Sequence, residues 1–484
     1  MDGTPFVGRK HELSLLNDLL EKKVASLVVI RGRRRIGKSR LAQEFARHKK
    51  YYVFSGLPPT NNTTAQSQRD EFAKQLALQT DIPEVKVDDW SKLFLLLAKE
   101  VKKGRAIILF DEISWMGSKD PDFLGKLKNA WDLHFKDNQK LILILCGSVS
   151  SWIEKNIISS TGFFGRISLK LTLGELPLND CNALLHNIGF NRSAQEKFQI
   201  LSVTGGIPWY IESVNPAYSA PENIKRLCFE KDGLLTDEFQ FIFHDLYGRR
   251  SEICKKIVEY LAQGPAEYSE IVSALNYSSS GALSDYLEDL LISGFIARDY
   301  VWSLKSGKDT KRLSKFRLSD NYVRFYLKYI LPRLSQIKKD QLSTLSFSSL
   351  PNWDGVMGLQ FENLVLSNRK EVHQWLMLKP EEIVSDNPYF QRQTTQQKGC
   401  QIDYLIQTRY NTLFVCEIKF SKNEVDISIV NEMKEKLSRL IVPQGFACLP
   451  VLIHINGVSE ELRSSGYFFK IIDFSQLLEN ENMT

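Results

Sequence analysis

The chain has 484 residues, 43% of them hydrophobic and 25% charged, with a formal net charge of +6. This length exceeds one ordinary core, so about two to four domains are expected. No apolar run approaches the ~18 residues a membrane helix needs, and Met1-Asp2-Gly3-Thr4 opens no charged-then-apolar leader, so the chain reads as cytoplasmic. The seven cysteines are scattered and never spaced Cys-x-x-Cys, which argues against a disulfide framework or a structural zinc site. The mild positive charge permits nucleic-acid binding without requiring it.

From Ala25 to Leu173 short apolar runs alternate with amphipathic stretches, the pattern of βαβ units around a parallel sheet. The spacing predicts strands at Ser26–Arg31, Tyr51–Ser55, Ala106–Phe110, Leu141–Gly147 and Ser168–Leu173. Cys146 and Cys416 lie inside such runs and read as small buried hydrophobes. A helical stretch from Leu178 to Tyr247, interrupted by Gly205-Gly206-Ile207-Pro208, fits a lid.

Gly32-Arg33-Arg34-Arg35-Ile36-Gly37-Lys38-Ser39 fulfils G-x-x-x-x-G-K-[ST] between an apolar strand and the amphipathic segment Arg40–His48. In this context the glycines let backbone wrap phosphates, and the following helix offers its N–H groups. Lys38 would then reach the β- and γ-phosphates of ATP, and Ser39 would ligate Mg²⁺. The strand Ala106–Phe110 delivers Asp111 and Glu112 to the sheet's C-terminal edge, where Asp111 would hold Mg²⁺ and Glu112 would polarise the attacking water. Ser148 is placed to touch the γ-phosphate, and Arg166 is a candidate arginine finger, within the chain or from a neighbouring copy of a homo-oligomer. The run Arg33-Arg34-Arg35, with Arg40 beyond it, adds charge to the loop.

With Phe6-Val7-Gly8-Arg9-Lys10-His11-Glu12-Leu13 ahead of the loop and Thr204-Gly205-Gly206-Ile207-Pro208 after the acidic strand, residues 5–245 resemble the archaeal-type ATPase family. That family is a branch of the signal-transducing (STAND) and AAA+-like P-loop ATPases. The resemblance implies that Val7, Gly8 and Arg9 lie near the adenine, and that Gly206 and Pro208 close a lid over the nucleotide.

Ile253–Ala262, Ser269–Ala274 and Ser280–Ile292 read as short helices, followed by strand-like runs Phe295–Leu304 and Leu313–Leu318, the layout of a winged helix. The third helix, at the recognition-helix position, Ser278–Ser293, carries Asp285, Glu288 and Asp289 and no Lys or Arg, which argues against reading a major groove. The hairpin is different: Arg298, Lys305, Lys308, Lys311, Arg312, Lys315 and Arg317 crowd it and suit a phosphate-binding wing.

After a polar, Ser-rich stretch at Ser335–Pro351, a helix near Gly358–Arg369 precedes strands at Gln401–Ile406 and Leu413–Phe420, a helix at Val430–Leu440 and a strand at Leu449–Ile455. Residues two apart on a strand face the same way, so Glu417 and Lys419 share a side, with Asp403 on the neighbouring strand and Glu362 on the preceding helix. Two carboxylates beside a lysine bind Mg²⁺ and activate water for phosphodiester attack. The set resembles the PD-(D/E)xK nuclease superfamily, with Ile402 at the name-giving proline position; the resemblance implies Asp403 and Glu417 as metal ligands and Glu362 and Lys419 as further catalytic groups. The expected architecture is therefore α/β: a P-loop ATPase domain with parallel sheet and helical lid (residues 1–247), a winged helix (248–335), and a restriction-endonuclease-like α/β domain (336–484). The functional expectation is an ATP-controlled, metal-dependent DNA nuclease. Its alternative is an ATP-driven switch whose C-terminal fold binds DNA or a partner without cutting.

Overall fold

The computed structural model describes residues 5–148, 151–277, 280–342, 344–395 and 397–479. The chain packs as two compact units, Phe6–Glu175 and the remainder from Leu176 onward.

In the first unit five strands, β1 (Ser26–Gly32), β2 (Lys50–Ser55), β3 (Ala106–Asp111), β4 (Leu141–Ser148) and β5 (Ile167–Leu173), form a sheet of order β2-β3-β4-β1-β5. Every neighbouring pair is parallel. Parallel strands covered on both faces read as continuous apolar runs, and β4 obeys: Leu143, Ile144, Leu145 and Cys146 are wholly buried. The helices Ala65–Gln79, Trp90–Glu100 and Phe123–Leu133 cover one face. The first two begin at capped residues, Thr64 accepting from the Ser67 N–H and Asp89 from the Ser91 N–H. Their buried aromatics form one cluster. The Phe72 ring stacks on Phe54 at 4.2 Å and meets Trp90, Phe94 and Phe110 edge-on at 5.5, 5.9 and 5.6 Å.

The second unit opens with helices from Leu178–Asn187 to Glu238–Tyr247. They pack in the unit that begins at Leu176. Next come Ser251–Leu261, Tyr268–Ala274 and Ser280–Ile292 with an antiparallel sheet of β6 (Ala266–Glu267), β8 (Asp309–Leu318) and β7 (Ile296–Trp302), in that order. The Ser-rich stretch packs more than its composition indicates: Ile337 is buried, and Phe347 stacks on Trp353 at 5.3 Å.

The last part of the second unit is a mixed sheet of order β13-β12-β11-β10-β9, built from β9 (Ile383–Gln391), β10 (Cys400–Thr408), β11 (Thr412–Lys419), β12 (Ala447–His454) and β13 (Lys470–Asp473). The pairs β9/β10 and β10/β11 are antiparallel; β11/β12 and β12/β13 are parallel. The parallel β11/β12 pair needs a crossover, which Ser428–Arg439 supplies. Two strands escape the sequence pattern. β9 holds Asp386, Asn387 and Pro388 and has no clean alternation, a composition that only an edge strand tolerates. β13 is four residues long.

Because Phe72 is the ring on which this cluster converges, Phe72→Ala should cost about 3–5 kcal/mol by chemical denaturation. An unmoved unfolding transition would show that the aromatic cluster does not hold the first sheet.

Candidate functional site

The chain leaves β1 at Gly32, where no side chain fits. A Cβ there would lie 2.7 Å from the Leu173 carbonyl oxygen and 2.9 Å from Ile36 Cγ2. Arg35 and Gly37 have φ of 68° and 89°, which turns the loop so that helix Lys38–Phe45 starts directly behind it. A helix N-terminus behind a turned loop is a ready anion site. Lys38 is buried, and its Nζ donates to the carbonyls of Gly32 and Arg33, each at 3.0 Å. In the arginine run, Arg33 is buried 4.0 Å from Glu175, Arg34 is exposed and Arg35 half-buried; Ile36 is buried and Arg40 half-buried.

The acidic strand arrives at the same edge. The Ser39 hydroxyl donates to Asp111 Oδ2 at 2.7 Å. Glu112 takes the left-handed conformation, φ 49°, an uncommon choice for a non-glycine residue and a mark of functional sites. Ser148, level with Gly32 in the β1/β4 register, offers its N–H and Oγ to Glu112 at 3.4 Å each. Burial raises the Glu112 carboxyl above its ordinary range; Lys38 pulls it back and Asp111 pushes it further up. That is the direction a general base working near neutrality needs. The predicted set Gly32–Ser39, Asp111, Glu112 and Ser148 therefore meets at one sheet edge.

The remaining predicted residues of the nucleotide site divide. Arg9 is buried and also left-handed, φ 55°; it donates to the carbonyls of Ile36 (3.4 Å) and Gly174 and pairs with Glu12 at 3.3 Å, bracing the loop against the end of β5. Val7 and Gly8 precede it, half-buried. Arg166 is engaged elsewhere: its Nε and Nη2 clasp both oxygens of Asp132 at 2.9 and 2.8 Å, and Lys128 reaches the same carboxylate at 2.9 Å. Gly206 and Pro208 belong to the second unit, where the Gly206 carbonyl accepts from Leu176 N–H at 2.8 Å and Pro208 opens the helix Pro208–Glu212.

In the C-terminal sheet, β10 and β11 bring Asp403 and Glu417 side by side, but the lysine between them is Lys436, not Lys419. Lys436, on Ser428–Arg439, donates to Glu417 Oε2 and lies 3.5 Å from Asp403 Oδ1. The other Asp403 oxygen accepts from the Ile418 N–H at 3.0 Å. Lys419, at the end of β11, reaches out to Glu432 at 3.0 Å. The sequence did hold the signal for Lys436. It falls on the stripe of Ile429, Met433 and Leu440, so a lysine sits where helical periodicity demands an apolar residue.

Burial pushes Glu417 up to about 7, with Asp403 adding to the rise and Lys436 opposing it. Burial likewise pushes Glu362 up to about 7, again with Asp403 adding and Arg317, Arg324 and Lys436 opposing. Glu362 and Glu417 are thus both raised further by the Asp403 charge. Among the described residues, however, no group of three or more His, Cys, Asp or Glu side chains is disposed to hold a metal ion.

The hairpin cations are disposed in different ways. Arg317 is buried, its Nε donating to Asp299 at 2.9 Å. Lys315 lies over the Phe390 ring at 4.5 Å, and Arg298 over Tyr300 and Phe316 at 4.8 and 5.2 Å. Lys305 and Lys308 are exposed; the side chains of Lys311 and Arg312, like residues 278–279 of the acidic helix, lie outside the described residues. On that helix Asp289 is buried and paired with Arg250.

The strand order, the turned loop and the acidic strand edge together define a P-loop ATPase domain. Residues 6–214 match the family described as an ATPase domain predominantly from Archaea, a segment that runs past Glu175 through Leu178–Asn187 and Ala194–Thr204. An uncharacterized protein of Methanocaldococcus jannaschii is 27% identical over 342 residues, covering 69% of this chain and 71% of its own. A solved structure, a Walker-type ATPase of Pyrococcus abyssi, aligns over 66% of this chain and 96% of its own with a TM-score of 0.50 and 17% identity, a likeness of fold. No helix among the described residues is long and apolar enough to cross a membrane.

Glu362 and Glu417 hold their protons to about 7 in the folded chain, against an ordinary carboxyl value of 4.5. Between those values the folded state binds more protons than the unfolded one, so stability falls as pH rises through the window. Glu362→Gln should therefore gain in melting temperature over the parent as pH climbs from about 5 to about 8. A pH-independent difference would show that Glu362 titrates as an exposed carboxylate.

Proposed function

We propose that the chain binds and hydrolyses ATP at the edge formed by Gly32–Ser39, Asp111 and Glu112, and that ATP turnover governs a DNA nuclease in its C-terminal part. The hydrogen bond from Ser39 to Asp111 carries the first half, because it brings the two groups that would share Mg²⁺ within 2.7 Å of each other. Glu112, held by Ser148 and raised by burial, would take the proton from the attacking water. Lys38 would leave its two carbonyls for the β- and γ-phosphates.

For the second half, the support is the convergence of Asp403 and Glu417 on one cation, the Lys436 ammonium. A divalent ion taken by that pair would act as Lewis acid and lower the pKa of a bound water. Glu362 then completes the acid edge, and Lys436 is better placed than Lys419 to face a phosphate. The segment from Ser251 to Leu318 has the helix and strand order of a winged helix; with Arg317 tied to Asp299 and Asp289 to Arg250, it is better suited to protein contact than to groove reading. A second reading, an ATP-driven switch that binds DNA without cutting, draws support from the same lysine: its ammonium already occupies the position between the carboxylates.

Lys38→Ala should lose ATP binding and turnover, whereas Glu112→Gln should bind ATP yet turn it over ~10²-fold more slowly. Normal turnover in the first variant refutes the loop assignment, and in the second it hands the base role to another group. DNA cleavage with Mg²⁺ or Mn²⁺, with and without ATP, should vanish in Asp403→Ala and fall more in Lys436→Met than in Lys419→Met. ATP turnover with no cleavage under any condition selects the switch.

A further inference from the structure

Glu362 and Asp403 border a cavity of about 210 Å³. The three-stranded sheet supplies Lys315 and Arg317 to its lining, and Arg324 and Phe390 lie there too. Arg324 is only 3% exposed, and its Nε has no hydrogen-bond partner. The rest of its guanidinium reaches the Leu318 carbonyl and, at 3.4 Å, Gln360 Oε1. A buried guanidinium with an unmet donor is costly, and its planar fork suits a phosphate. Phe390 is half-buried and presents its ring to the Lys315 ammonium. The ammonium covers one face of the ring, so a base stacked on the opposite face would have this cation within reach of its phosphate.

Size restricts the occupant further. A cavity of about 210 Å³ is on the scale of one nucleotide turned out of a strand and too small for a base pair with its partner strand. We infer that this cavity receives a single unpaired nucleotide of a DNA strand, its base against Phe390 and its phosphate between Lys315, Arg324 and the Glu362–Asp403 edge. The role of the carboxylates rests on the nuclease reading above; the binding itself does not. It follows that the C-terminal part works on single strands and frayed ends in preference to continuous duplex.

The test is binding by the full chain in EDTA of an oligothymidylate ending in 2-aminopurine, beside the same base locked inside a closed duplex, with free thymidine 5′-monophosphate as competitor. The unpaired probe should bind at least tenfold more tightly than the duplex, with quenched fluorescence. Phe390→Ala and Lys315→Gln should each weaken binding about tenfold with unchanged melting temperature. Equal affinity for paired and unpaired probes overturns the inference, as does undiminished affinity in both cavity variants. Full competition by the free nucleotide at the oligomer's own affinity overturns it as well, and makes this a small-molecule site. Loss of binding in the cavity variants of a protein that cuts nothing keeps the cavity and removes the nuclease; cleavage with intact binding in those variants does the reverse.

Discussion

The hydrogen bond between Ser39 and Asp111 spans a gap that the sheet itself creates. Asp111 ends β3 and Gly32 ends β1, and β4 lies between these strands. Adjacent strands stand about 4.8 Å apart, so the two strand ends are separated by roughly twice that distance and cannot touch. What crosses the gap is the loop after β1, which must turn sharply enough for the helix behind it to start above β4. The steric limit at Gly32 and the left-handed backbone at Arg35 and Gly37 follow from that demand. Ser148, at the end of the intervening strand, lies level with Gly32 and holds Glu112. Strand order thus positions every polar group of this edge, at the crevice where ligands of open α/β sheets bind.

Legibility in the sequence followed how local each constraint is. The central strands β1, β3 and β4 were readable because burial on both faces leaves uninterrupted apolar runs, the edge strands β2 and β5 because apolar residues recur along them, and the P-loop because its spacing is a contiguous steric requirement. The edge strand β9 was not, since an edge with Asp386 and Pro388 carries no period. Arg166 and the hairpin cations show a related limit. A long cationic side chain is free to bend, so its sequence position does not say whether it meets solvent, a ligand, or a carboxylate such as Asp132 or Asp299. The Glu417–Lys419 spacing illustrates the limit well. Alternation correctly places both Cβ atoms on one side, yet four methylenes let Lys419 reach Glu432 while Lys436 takes the position between the acids.

The two lysines that matter most, Lys38 and Lys436, share a physical situation and resolve it with opposite consequences. Neither can bury an ammonium without acceptors, because an unpaired buried charge costs several kcal/mol. Lys38 takes two neutral carbonyls at 3.0 Å. A phosphate is a stronger acceptor than either, so an anionic ligand draws this ammonium outward by exchanging a weak pair of partners for a charged one. Lys436 takes two carboxylates instead. A divalent cation seeking those carboxylates must evict the ammonium, and the evicted charge is stable only beside a new anion. On the proposed nuclease reading, a metal at the second edge would therefore favour a phosphate beside it, the metal satisfying the carboxylates and the phosphate the displaced lysine.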